Sequence, residues 1–288
     1  MTAWETAFRD DAELAERPLW DERTETVVWV DITRGRMNRL EAGGACSTVE
    51  LEPPVGACAL RAGGGLVAAH AGVVRFLDAE GREDRPPIRF DLAAGVRFND
   101  GACDPAGRFL VGTCSTDGQP GRGSLYAVEP DGRVRVLLTG VTESNGLAWS
   151  PRGETMYYVD SGHPDVRAYA YDAATGGMSD GRVLRSFGPA DGVPDGLIVD
   201  RDGAIWVALW EGSAVVRIDP DGAEIGRLAI PVSRPTCPAL GGHKLDRLFV
   251  TTAWEGLDGA ARAREPLAGS LLATSVPVPG LPALRFAG

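Results

Sequence analysis

The sequence predicts an all-β chain folded as a six-bladed β-propeller with four-stranded antiparallel blades. Three observations predict it. A strand–turn–strand unit returns roughly every 40–50 residues, the blade spacing of propellers. The 288 residues include 38 glycines and 20 prolines, which supply many tight turns. Helical periodicity is nearly absent, the one short patch being Gly259 to Arg264.

The clearest copy of the unit runs from Pro194 to Trp210. Leu197-Ile198-Val199 makes one arm, Asp202-Gly203 is a hairpin turn, and Ile205-Trp206-Val207-Ala208 makes the second arm. With Asp200 as the reference turn residue, the equivalent turns begin at Asp21, Arg61, Asp104, Ser150 and Gly241. A β-rich arm follows each, such as Val27-Val28-Trp29-Val30, Phe109-Leu110-Val111-Gly112 and Met156-Tyr157-Tyr158-Val159. A third strand comes next, as in Val166 to Tyr171 and Gly212 to Ile218. Turns such as Pro130-Asp131-Gly132 lead to a fourth. The segment Trp4 to Phe8 precedes the first unit and is expected to add an outer strand to the last blade, closing the ring. No linker breaks the repeat, so residues 1–288 are expected to form one propeller domain rather than two sandwiches.

Composition excludes several function classes. The net charge is −11 and the sequence pI about 4.8, so the average surface repels nucleic acid and anionic membranes. No apolar run approaches the roughly 20 residues of a spanning helix. The first residues lack the basic start and apolar run of a signal peptide. A soluble, cytoplasmic protein is expected, with a monomer compatible with the sequence. The five cysteines are odd in number and irregularly spaced, which predicts reduced, mostly buried thiols.

The chemistry is expected on the innermost strands, which line a propeller's central channel. Five residues before each reference turn stand Glu16, Gly56, Asn99, Asn145, Asp195 and Thr236. Five of these six carry a side-chain oxygen in strands otherwise built of Leu, Ala, Val and Ile. Equivalent positions on radial blades converge on the axis, so Glu16, Asn145 and Asp195 should meet, with Asn99 beside them. Two carboxylates crowded in a channel repel each other, and one divalent cation removes the conflict. Oxygen donors without His or Cys describe a hard-cation site, suiting Ca²⁺ first and also Mg²⁺ or Mn²⁺, with Zn²⁺ or Fe²⁺ as further candidates. Taken singly, each residue reads as an ordinary turn-entry group satisfying backbone; the shared register favours the metal site.

On these residues the chain resembles the SMP-30/gluconolactonase/luciferin-regenerating-enzyme family, over essentially its whole length. The motifs are Glu16-Arg17-Pro18-Leu19-Trp20, Arg97-Phe98-Asn99-Asp100-Gly101, Asp104-Pro105-Ala106-Gly107-Arg108, Ser144-Asn145-Gly146-Leu147-Ala148-Trp149-Ser150 and Pro194-Asp195-Gly196. The resemblance implies a six-bladed propeller with one divalent metal on Glu16, Asn145 and Asp195. It also implies substrate contacts from Arg97 and Asn99, with a sugar-binding carboxylate falling near Asp117. Two departures stand out. Ala15 and Arg17 flank Glu16, where the family usually has Gly and a small residue. Arg17 is either a mouth residue reading an anion or an exposed residue without a role, and the second is expected. The segment Gly118 to Gly123 is short and Gly-rich where members often carry a substrate lid.

Weaker signals add little. Gly121-Arg122-Gly123 lies in no phosphate-loop pattern, and no Gly-x-Ser-x-Gly elbow occurs. His163 is expected in an exposed loop, and Trp210, ending its strand, could edge the pocket. The leading function is hydrolysis of a lactone or related cyclic ester, a small-molecule substrate. The metal would polarise the carbonyl, and Asp195 would take the proton from the attacking water. The alternatives are a non-catalytic calcium- or ligand-binding propeller, and a sister hydrolase acting on a bulkier ester, epoxide or phosphoester.

Overall fold

An aspartate at the end of an innermost strand organises the hairpin that follows it. Asp200 Oδ1 accepts the Asp202 and Ala204 N–H groups at 3.0 and 3.1 Å, and Gly203 completes the turn at φ +88°. Asp104 repeats the arrangement with Ala106 and Arg108, and Gly107 lies at φ +80°. These Asx turns end one strand and start the next. Continued along the chain, they give six four-stranded antiparallel sheets, seen in a computed structural model that describes residues 3–288.

Five sheets follow chain order from inside to outside. In the fifth blade Val193–Val199 is innermost, followed by Ile205–Trp210, Ala214–Ile218 and Glu224–Ala229. The sixth blade is composite. Pro235–Gly241, Arg247–Thr252 and Leu271–Ser275 come from its own repeat, and Glu5–Phe8 adds the outer strand, Glu5 opposite Ala273. The Trp4 indole N–H also reaches the Ala229 carbonyl of the fifth blade at 2.6 Å. The ring closure expected from the sequence is therefore present.

The innermost strands are Ala15–Asp21, Val55–Leu60, Val96–Cys103, Ser144–Trp149, Val193–Val199 and Pro235–Gly241. Each packs on the next, and the first meets the sixth, so the sheets surround a channel. Second strands are buried almost throughout, as in Thr26–Asp31, because both faces meet neighbouring blades. Outer strands such as Glu224–Ala229 alternate between half-buried and exposed residues. Trp29, Phe76, Phe109 and Tyr158 are fully buried between sheets, each stabilising the fold by about 1.5–3 kcal/mol. The helix Gly259–Arg264 is a six-residue insertion capped by Asp258, whose Oδ1 accepts the Ala261 N–H at 2.7 Å. Cys58, Cys103, Cys114 and Cys237 are buried and Cys46 half-buried, all as free thiols. Among the described residues no helix is long and apolar enough to cross a membrane.

The inner strands approach so closely that some positions admit no side chain. A Cβ on Gly146 would lie 2.5 Å from the Leu197 nitrogen and 2.7 Å from the Asp195 oxygen, backbone atoms of the next blade. Gly146→Ala should therefore cost about 1–3 kcal/mol through overpacking, measured by urea unfolding. Gly63→Ala, facing open space, should leave stability nearly unchanged.

Candidate active site

All six innermost strands are interrupted at one common level. Their pairing with the second strand shifts register between Glu16 and Leu19, Val55 and Ala57, Phe98 and Gly101, Ser144 and Leu147, Pro194 and Leu197, and Pro235 and Pro238. A bulge bends its strand and re-aims the residue at its start. Gly56, Asn99, Asn145, Asp195 and Thr236 are the first residues inside their shifts, and Glu16 is the last paired residue before its own.

Two of the six positions serve the backbone. A Cβ on Gly56 would lie 2.5 Å from the carbonyl of Phe98, so this position is a contact between blades. Thr236 donates its hydroxyl proton to the Ala15 carbonyl at 2.6 Å, and its Oγ1 lies 2.8 Å from the Thr251 hydroxyl. The other four, Glu16, Asn99, Asn145 and Asp195, line one cavity of about 380 Å³. Its polar groups are linked. Arg97 donates to Asn99 Oδ1 at 2.6 Å, and Asn99 Nδ2 donates to Asn145 Oδ1 at 2.8 Å and to the Ser144 carbonyl at 2.9 Å. Asn145 Nδ2 donates to Ser161 Oγ at 2.8 Å, and Ser161 donates to the Pro194 carbonyl at 2.8 Å. These bonds fix the Asn145 amide with its nitrogen toward Ser161 and its oxygen toward Asn99.

Glu16 and Asp195 stand within hydrogen-bonding reach of each other. Burial, followed by the charge of Asp100, pushes the Glu16 carboxyl from 4.5 to about 8. Burial and then Glu16 itself hold Asp195 well above the usual carboxylate range. Two buried acids at this separation need a proton or a cation between them.

Sequence reasoning missed Ser161, Glu143 and Glu255, which line the same cavity. Glu143 was legible: it stands two residues before Asn145, as Arg97 stands two before Asn99, and alternate strand residues share a face. Burial raises both glutamates, and the Arg97 charge partly offsets it. Trp210 edges the cavity as expected. Asp117 does not line it: its carboxylate accepts from Ser115 and from the Gln119 N–H, on a side chain 51% exposed. His163 is exposed.

The pattern of the SMP-30/Gluconolactonase/LRE-like region matches residues 14–254. The chain belongs to this family. It is similar to regucalcin of Xenopus laevis, 35% identical, with 99% of this chain and 98% of the relative covered. It is also similar to "Putative sugar lactone lactonase YvrE" of Bacillus subtilis, 33% identical over 96% of each chain. Among solved structures, a calcium-binding regucalcin from Agrobacterium tumefaciens superposes with a TM-score of 0.94 at 29% identity, covering 100% of this chain and 98% of that one. A luciferin-regenerating enzyme gives 0.91 at 28%, covering both chains fully.

Arg17, a departure from the family pattern, is expected from the sequence to be exposed and without a role, and the structure corrects this. The bulge after Glu16 puts Arg17 at φ +50°, and its side chain turns into the protein, only 12% exposed, with Nε 3.7 Å from Asp100 Oδ1. Its backbone N–H donates to Glu16 Oε2 at 2.7 Å.

The donor set fits a hard cation. Among the described residues no three His, Cys, Asp or Glu side chains converge on one point. A cation between Glu16 and Asp195 would therefore take the Asn145 amide oxygen as third protein ligand, leaving its other positions to water or substrate. In cation-free protein the folded state holds the Glu16 proton more tightly than the unfolded chain does. That contribution to stability is full below about 4.5 and is lost as pH rises through about 8. The melting temperature of chelator-treated protein should fall across this window, and added calcium should raise it most at the alkaline end.

Proposed function

We infer that this chain hydrolyses a lactone or closely related cyclic ester, using one divalent cation held by Glu16, Asn145 and Asp195. The observation that carries the reading is the convergence of two carboxylates and two amides from four blades on one cavity that also holds Arg97. Membership of the family and the name of the Bacillus subtilis relative support the reaction class.

When bound, the cation supplies Lewis-acid polarisation of the ester carbonyl and offsets the charge that develops on its oxygen. Asp195 accepts a proton from the attacking water, a role suited to a carboxyl held above its usual range. The water oxygen bonds to the carbonyl carbon, the ring C–O bond breaks, and the released alkoxide takes a proton to give a hydroxy acid. Asn99 is fixed by Arg97 and Ser144 and faces the cavity beside Asn145, so Arg97 and Asn99 orient the substrate. Asp117, on its exposed loop, is assigned at most a contact at the rim. Calcium is the first choice of cation, in keeping with the Agrobacterium tumefaciens relative, described as a calcium-binding protein. The same relative favours a second reading, a calcium-binding propeller without turnover.

A hydrolysis screen across aldonolactones and unrelated lactones, with and without chelator, separates the two readings. Chelator-sensitive turnover is expected, and calcium binding without turnover on any lactone would favour the second. Asp195→Asn should retain weak cation binding and lose nearly all turnover even in saturating metal. Asn145→Ala should bind the cation more weakly and recover part of its turnover in excess metal, because mass action overcomes a binding defect but not a missing base. Near wild-type turnover of Asp195→Asn in saturating metal would move the base elsewhere. Arg97→Ala and Asn99→Ala should raise KM or lower kcat while metal content stays intact.

A further inference from the structure

A second cavity of about 230 Å³ lies along the same inner strands as the acidic one, toward their opposite ends. Leu147, Leu197 and Leu240 wall it from the fourth, fifth and sixth blades. The C-terminal segment roofs it. Gly280 bridges to Asp200 on one side, and Phe286 bridges to Arg61 on the other. Arg285, two residues before the last alanine, is paired with Asp21 at 2.6 Å and Glu22 at 3.0 Å. Between these anchors Leu281 and Leu284 cover the mouth, and Leu284 remains exposed.

One charged side chain at the inner end of this apolar space has no hydrogen-bonding role. Arg17 lines the second cavity and not the acidic one. Among the described residues its guanidinium makes no hydrogen bond, and its Nε is sealed from solvent without an acceptor. Asp100 is the nearest counter-charge, but its Oδ1 is engaged by the Gly101 N–H at 2.6 Å and stands 3.7 Å from Nε. The thiols of Cys58, Cys103 and Cys237 surround Arg17, and burial keeps them protonated, so they add no charge. A guanidinium carries five N–H donors, and leaving the sealed Nε–H unpaired away from water is costly. Arg17 is held there at φ +50°, a conformation that costs a non-glycine residue about 1–2 kcal/mol.

We propose that this cavity binds a small monocarboxylate with an apolar body, its carboxylate on Arg17 and its hydrocarbon against Leu147, Leu197 and Leu240 under the 281–284 strap. The carboxylate supplies two acceptors matched to the planar guanidinium, and the body removes apolar wall from water. The site is separate from the lactone-hydrolysing cavity and does not depend on its assignment.

Octanoate is the probe, titrated into the full chain and followed by calorimetry and by tryptophan fluorescence, since Trp20 and Trp149 line the cavity. Saturable binding of one octanoate per chain is expected. Arg17→Met should raise Kd about tenfold or more through loss of the charge-assisted hydrogen bonds. Octanol should bind wild type as weakly as octanoate binds that variant. Ala283→Leu, which fills the space from the strap, should weaken binding with Arg17 in place, and it decides the matter if Arg17→Met does not fold by circular dichroism. Arg97→Ala should leave octanoate binding unchanged. Absence of saturable binding, undiminished binding in folded Arg17→Met or in Ala283→Leu, or loss of binding in Arg97→Ala would each overturn the proposal.

Discussion

The approach of Glu16 to Asp195 is the constraint on which the site depends. Neither carboxylate is near the other in sequence, and both are buried, so the repulsion between them is sustained by the rest of the ring. The bulges aim them, and the glycines at 56 and 146 let neighbouring inner strands come close enough to bring them together. Closure by the Glu5–Phe8 strand ties the sixth blade, and through it the first, into that arrangement. A propeller that opened at this seam would separate Glu16 from its partners, since Glu16 stands on the first blade beside the sixth.

The polar groups around the pair share a direction. Arg97, Asn99, Asn145 and Ser161 form one hydrogen-bonded line ending on the Pro194 carbonyl, next to Asp195. Such a line fixes amide orientations that a free asparagine would exchange. It also places the single guanidinium of the cavity at the far end from the two central acids. On the proposed function, a bound ester would meet a cation-attracting pole and a hydrogen-bond-donating pole across one small space.

Much of this was legible in the sequence because the repeat carries its own ruler. Aspartates 21, 104 and 200 end inner strands and accept backbone N–H groups, so counting from them recovers equivalent positions on different blades. That count located Glu16, Asn99, Asn145 and Asp195 without reference to three-dimensional structure. It could not separate Thr236 from them, because a hydroxyl serves a backbone carbonyl as readily as it serves a ligand. Ser161 was hidden because it follows a second strand, outside the counted register. Arg17 was misread for a physical reason: arginine beside a channel mouth is usually solvated, but the positive φ after Glu16 turns this one inward. The strap at 281–284 carried no sequence signal at all, its position being set by contacts with three different blades.

Glu16, Asn145 and Asp195 are proposed to hold one cation between them, and a crystal structure of the calcium-soaked protein tests this most directly. One strong peak per chain is predicted, bounded by these three side chains and about 2.3–2.6 Å from an oxygen of each. A cation bound instead between Glu143 and Glu255, or the two central carboxyls still paired with each other in saturating calcium, would contradict it.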